Sequence, residues 1–280
     1  MKSRRFGSTR PPAPADAATG TRDETYSNEE WRDRRLFPAE GTIPEPDPTL
    51  QGQVGPAPAF HDIALTTMGR LNMAGLRPDH DVLDIGCGVG RTARYLCDYL
   101  EPTARYAGFD IMEDLIAWCR TEITPRFPNF EFRHTPMFNS AYLPDPALEA
   151  ADRFAFPYDD GSFDFAFAHS VFTHLPADAV ANYLAEAYRV LRPGGILYAT
   201  WFLFDTTPEG HPNPIVDAMR VDPSGDVAVR FADIPDAATG YRTGYVRDLY
   251  RSHGLSIVDP IHPGFQRMQD AVVAVRPQTE

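Results

Sequence analysis

Apolar residues come in short runs along most of this chain, and the runs alternate with stretches of helical periodicity. Between Phe60 and Leu76 the residues Ile63, Leu65, Met68, Leu71 and Met73 fall partly on one face, which predicts a helix. Val82-Leu83-Asp84-Ile85 then reads as a buried strand. Further strands are expected at Tyr106–Asp110, Phe130–His134 and Phe163–Ala168, with a helix from Met112 to Arg120 after the second strand. A helix ends at Leu191, where Pro193 and Gly194 stop it, and a fifth strand begins. Val246 to His253 reads as a helix closed by Gly254. Leu255–Val258 and Ala271–Val275 read as a sixth and a seventh strand. Strands alternating with helices predict an α/β class fold, a doubly wound sheet with helices on both faces.

The first strand leads into Gly86-Cys87-Gly88-Val89-Gly90, and a helix starts behind it. Glycines at alternate positions let the backbone turn sharply and lie against a ligand with no side chain between. The dinucleotide fingerprint Gly-x-Gly-x-x-Gly would need its third glycine at Arg91; here it comes one residue early. Asp84, two residues before the loop, suits a cationic group. Asp110, at the end of the second strand and twenty positions beyond Gly90, suits a pair of ribose hydroxyls. The competing reading for Asp110 is a cap on the following helix.

Asp84-x-Gly86-x-Gly88-x-Gly90 resembles motif I of the class I S-adenosylmethionine (SAM)-dependent methyltransferases. The resemblance continues through Phe156-Pro157-Tyr158-Asp159-Asp160-Gly161-Ser162-Phe163-Asp164, then His169-Ser170-Val171-Phe172-Thr173-His174-Leu175. It ends in Arg189-Val190-Leu191-Arg192-Pro193-Gly194-Gly195, so it spans roughly residues 80–202. It implies a seven-stranded mixed, Rossmann-like sheet with the seventh strand antiparallel between the fifth and sixth. It implies SAM as cofactor, held at Asp84 by the methionine amino group, along Gly86, Cys87, Gly88 and Gly90, and at Asp110 by the ribose. Ile111 would pack on the adenine. The family often carries an acidic residue in the loop after the third strand; Pro136 stands near that place here. Adenine recognition is then left to backbone groups and to apolar contact from Met137 and Phe138.

The chain has 280 residues, 43% of them hydrophobic, and a formal net charge of −13. That length supports one core. The acidic balance argues against a nucleic-acid partner, because phosphate backbones attract basic faces. Its three cysteines make no disulfide framework, no His or Cys cluster has metal-ligand spacing, and no apolar run approaches membrane-spanning length. Lys2, Arg4 and Arg5 have no apolar segment behind them, so no secretory signal is expected and the expected location is cytoplasmic. Residues 1–25 lack large apolar side chains and are expected to be a disordered tail. Residues 26–76 are expected to form a lid segment and helix, with Tyr26 and Trp31 as candidates over the substrate mouth. Residues 77–280 are expected to form the SAM-binding domain that the resemblance implies.

Trp201-Phe202-Leu203-Phe204 leaves the fifth strand as an aromatic run, and a long proline-containing insertion follows, about 203–242. Trp201 and Phe204 are expected to line an acceptor pocket, with Ser170 facing the same site. His169, directly after the fourth strand, is a candidate general base or cofactor contact. His174 is expected on the helix that follows, and His211 in the insertion is a third candidate base. The leading expectation is methyl transfer to an O, N or C atom of a small apolar or aromatic metabolite of secondary metabolism. A glycan or glycolipid acceptor is the alternative within that class. A SAM-binding protein that cyclises its ligand or serves as a non-methylating partner is the alternative outside it. The partner is a small-molecule acceptor, and self-association stays open.

Overall fold

Seven strands make the main sheet, and its central segments are apolar on both faces, as a sheet covered on two sides requires. The computed structural model describes residues 43–264 and 269–278, all within one unit, Arg35–Glu280. The tail 1–25, Tyr26 and Trp31 lie outside the described residues. The strands are β1 Val82–Ile85, β2 Tyr106–Asp110, β3 Phe130–His134, β4 Phe163–Ala168, β5 Leu191–Trp201, β6 Leu203–Phe204, β7 Arg220–Val221, β8 Val227–Val229, β9 Thr239–Arg242, β10 Ser256–Ile257 and β11 Asp270–Val275. The helices are α1 Pro48–Gln53, α2 Phe60–Met73, α3 Ala93–Tyr99, α4 Glu113–Glu122, α5 Ala177–Val190, α6 Pro214–Asp217 and α7 Thr243–Ser252.

The main sheet has the order β10-β11-β5-β4-β1-β2-β3. β1 pairs in parallel with both β2 and β4, while β11 runs antiparallel between β5 and β10. The sheet is therefore the mixed one that the family resemblance implies. Strand order reverses between β1 and β4, and the crevice beyond their carboxyl ends is where open α/β sheets take ligands.

Side-chain alternation assigns each strand residue to one of two cores. Phe165, Phe167, Val82 and Tyr106 pack with Leu71 of α2, Leu96 of α3 and Ile116 of α4. Ala166, Ala168, Leu83 and Phe109 face the opposite layer, with Val180 and Leu184 of α5 and Tyr250 of α7. Phe165 and Phe167 fill one face of β4 and Ala166 and Ala168 the other, while Phe163, before a register shift against β5, joins the alanine side.

The insertion is not a loop. Its short strands form a second sheet of order β6-β9-β8-β7, closed over a cluster that includes Phe202, Phe204, Val216 and Met219. Two-to-four-residue strands are too short to show a period, which is why the sequence reads as irregular there. Trp201 ends β5 with 0% exposure, its ring 4.8 Å from Phe172, 5.5 Å from Tyr241 and 6.0 Å from Tyr250. Trp201 and Phe204 are thus core residues, correcting their expected place at a pocket mouth. A tryptophan at the carboxyl end of a strand still alternates, and its turn falls inward.

Candidate functional site

The chain leaves β1 through three glycines in left-handed backbone conformations, with φ of 71° at Gly86, 54° at Gly88 and 69° at Gly90. The first two owe their identity to what stands over them as well. A Cβ on Gly86 would lie 2.5 Å from Val171 Cγ2, and one on Gly88 2.5 Å from Val54 Cγ1. Two valines from distant segments therefore roof a bare backbone.

Asp110 braces that loop. Its Oδ2 accepts from the Gly88 N–H at 2.8 Å and its Oδ1 from the Met112 N–H at 2.9 Å. Burial raises its pKa against the lowering effect of these donors. Asp110 does not cap the following helix, whose N-cap is Met112 with no side-chain cap hydrogen bond; its two backbone donors still leave acceptor sites for a ligand, because a carboxylate has about four.

Asp84 is 3% exposed and accepts a 2.7 Å hydrogen bond at Oδ2 from the Tyr106 hydroxyl. Burial pushes its pKa up to about 7, opposed by the Tyr106 hydrogen bond, with Asp110 raising it further and the Arg91 charge lowering it. Arg91 is itself buried, and its Nη1 donates to the Val54 carbonyl at 2.6 Å. Burial lowers its pKa to about 10, partly offset by Asp84. A cationic group bound at Asp84 favours the carboxylate, so it must displace the proton. Binding S-adenosylhomocysteine is expected to release close to one proton a unit or more below the Asp84 value, about half a proton near it, and less as pH rises above it. Calorimetry in buffers of different ionisation enthalpy measures this, and Asp84→Asn is expected to abolish it.

A cavity of about 250 Å³ lies over these residues, slightly under the range typical of small-molecule sites, roughly 300–1,000 Å³. Its polar wall holds Asp84, Arg91, Thr92 and His169; its apolar wall holds Ile111, Leu115, Met137 and Leu175. A carboxylate beside an apolar slot suits a ribose and purine, and a bare peptide turn next to a buried carboxylate suits an amino-acid end. The residues present therefore fit SAM.

Residues 83–199 match the family model described as a methyltransferase domain. These residues belong to the class I SAM-dependent methyltransferases. SAM is the cofactor of that family. The chain is 32% identical to sarcosine/dimethylglycine N-methyltransferase of Halorhodospira halochloris over 54% of its own length and 48% of that protein. It is 32% identical to 2-methyl-6-phytyl-1,4-hydroquinone methyltransferase of Synechocystis sp. over 45% of its length and 31% of that protein. The chain thus spans between about a third and a half of these curated relatives. Among solved structures, 1,6-didemethyltoxoflavin-N1-methyltransferase of Burkholderia thailandensis, with its substrate and S-adenosylhomocysteine bound, shares the fold at TM-score 0.51 and 19% identity, covering 79% of each chain.

The methyltransferase domain brings Asp84, Gly86, Cys87, Gly88, Asp110, Ile111, Met137, Phe138, His169, Ser170 and His174 to one cavity. Burial pushes the Cys87 thiol well up, so it stays a thiol. Gly90 does not reach the cavity wall; a Cβ there would lie 2.8 Å from Ile123 Cδ1, so its glycine serves the packing of α4. His211 lies outside it too, its Nδ1 accepting from the Asn213 N–H at 3.1 Å. His174 sits in the short 3-10 turn Phe172–His174 rather than on α5. Its Nδ1 donates to the Asp236 carbonyl at 2.9 Å, tying the 3-10 turn Pro235–Ala237 between β8 and β9 to the cavity rim. Burial lowers its pKa, so it is neutral and anchored.

Arg91 escaped the sequence reading, and within the expected lid segment 26–76 the sequence did not single out the strap Gln53-Val54-Gly55. The strap lines the cavity beside the glycine turn, with Val54 over Gly88. Arg91 stands directly after Gly90, yet nothing local says that its guanidinium turns back to a carbonyl 37 positions earlier.

Proposed function

We propose that this protein transfers a methyl group from SAM to an O, N or C atom of a small, apolar or aromatic metabolite. The observation that carries the reading is the single cavity in which Asp84, the bare glycine turn and Asp110 adjoin an apolar wall. Bound SAM supplies an electrophilic methyl group, so the hard chemistry comes with the cofactor. Asp110 would hold the ribose hydroxyls while it keeps the Gly88 and Met112 amides. Asp84 would take the ammonium, its position set by Tyr106. Ile111 and Met137 would pack on the adenine. Val54 and Val171 exclude water from above the turn, which strengthens each polar contact beneath them.

The acceptor would meet Phe138, Tyr142 and Leu175. These replace Trp201 and Phe204 as support for an apolar or aromatic acceptor. The named relatives act on a hydroquinone and on small N-methylated amino acids, so the acceptor atom is open between oxygen, nitrogen and carbon. Among the described residues no helix is long and apolar enough to cross a membrane.

Calorimetry with S-adenosylhomocysteine, followed by transfer of a labelled methyl group to a panel of phenols, indoles, terpenoids and sugars, tests the reading. Binding with transfer to an apolar member is expected. Absence of binding, with a dinucleotide bound instead, would sink it.

A further inference from the structure

The cavity wall carries a histidine that commits one ring nitrogen to the protein and leaves the other toward the cavity without a protein partner. His169 lines the wall directly after β4, and its Nδ1 lies 3.2 Å from Thr67 Oγ1. The Thr67 hydroxyl has one hydrogen, and it goes to the Ile63 carbonyl at 2.8 Å, the i−4 carbonyl of the same helix α2. Toward His169, Thr67 can therefore only accept. The imidazole must carry its hydrogen on Nδ1. Among the described residues no protein group hydrogen-bonds Nε2, the nitrogen left for a ligand.

We infer that Thr67 sets the tautomer of His169, so that a bare Nε2 in the cavity wall accepts a hydrogen bond from an O–H or N–H group on the methyl acceptor. The ring stays neutral, because burial, then the charges of Arg91 and Arg70, push its pKa down to about 3. A group so weakly basic is a poor general base at neutral pH. His169 instead orients a protic acceptor. A neutral ring is also compatible with a cationic donor nearby, which an imidazolium would repel. Thr67 is a positioning residue, 1% exposed and out of a ligand's reach.

The selection of acceptors rests on the methyl-transfer reading; the tautomer does not. Both can be read without turnover, by proton–nitrogen correlation spectra of protein labelled at the histidine nitrogens. The expected spectrum near neutral pH shows a protonated Nδ1 and an unprotonated Nε2 for His169, unchanged down to mildly acid pH. Thr67→Val is expected to redistribute the proton between the nitrogens, and Thr67→Ser to restore it. A wild-type proton on Nε2, or a Thr67→Val spectrum identical to wild type, overturns the tautomer.

Phenol and aniline are then compared with their fully methylated counterparts, anisole and N,N-dimethylaniline, with S-adenosylhomocysteine present. The protic probes are expected to shift Nε2 and the methylated ones to leave it in place. No response to either protic probe, or equal responses to all four, overturns the acceptor role. His169→Phe is expected to keep S-adenosylhomocysteine affinity within about twofold while protic-probe affinity falls roughly tenfold, the loss of one hydrogen bond. A parallel loss of S-adenosylhomocysteine affinity would assign Nε2 to the cofactor and also overturn it. Failure of S-adenosylhomocysteine to bind wild type would instead remove the proposed function, leaving the Thr67–His169 tautomer readable on the free protein.

Discussion

Replacing Asp110 with alanine is expected to weaken S-adenosylhomocysteine binding by roughly a hundredfold, about 2.7 kcal/mol. Two charge-assisted hydrogen bonds to ribose hydroxyls, each on the order of 1.5–3 kcal/mol, would be lost, with water recovering part of the difference. A second loss comes from within the protein. Without the carboxylate the Gly88 and Met112 N–H groups have no side-chain acceptor. The glycine turn should then sample more conformations, and the melting temperature of the free protein should fall by a few degrees. Asp110→Asn separates the two effects, because its one carbonyl oxygen can still serve one amide. It is expected to fall between wild type and alanine in both affinity and stability. Isothermal titration and thermal unfolding on the three proteins decide it. Wild-type affinity in a folded Asp110→Ala protein would remove the ribose role.

Trp201→Ala is expected to produce the largest loss of stability, about 3–5 kcal/mol, the cost of emptying a large aromatic site that cannot collapse. The residue has 0% exposure and three aromatic neighbours that come from the turn after β4, from β9 and from α7. Its removal would loosen the junction of the two sheets. Affinity for S-adenosylhomocysteine should change little in the fraction that stays folded. Denaturant unfolding with and without that ligand makes the comparison. A protein of near-normal stability that had lost only acceptor recognition would return Trp201 to the pocket wall.

These two residues also mark how far the sequence could be read. Asp110 stood at a fixed spacing from a glycine turn, at the end of an apolar run. Spacing of that kind is local information, and β2 and β3 appear in the structure with the bounds the runs predicted. Trp201 ended a run of aromatic residues, and a run says nothing of which side is inward. That depends on the register of β5 against β4 and β11, and on a second sheet that had no visible period. Arg91 shows the same limit in the opposite sense. By position it is only the residue after the loop, yet the strap carbonyl of Val54 and the buried Asp84 hold it in the cavity wall.

Sequence alone determined the α/β alternation, the left-handed turn that only glycine adopts cheaply, and the two carboxylates at the ends of β1 and β2. Each follows from chain-local physics: strand period, backbone sterics and the reach of one turn. The tertiary structure alone decided which side chains share the cavity, which nitrogen of His169 is bare, and why the Asp84 carboxyl is raised above the usual carboxylate range. These depend on burial and on partners such as Thr67, Tyr106 and Val54 that lie far away along the chain. Desolvation and hydrogen-bond direction are properties of the assembled interior, and no spacing in one dimension encodes them.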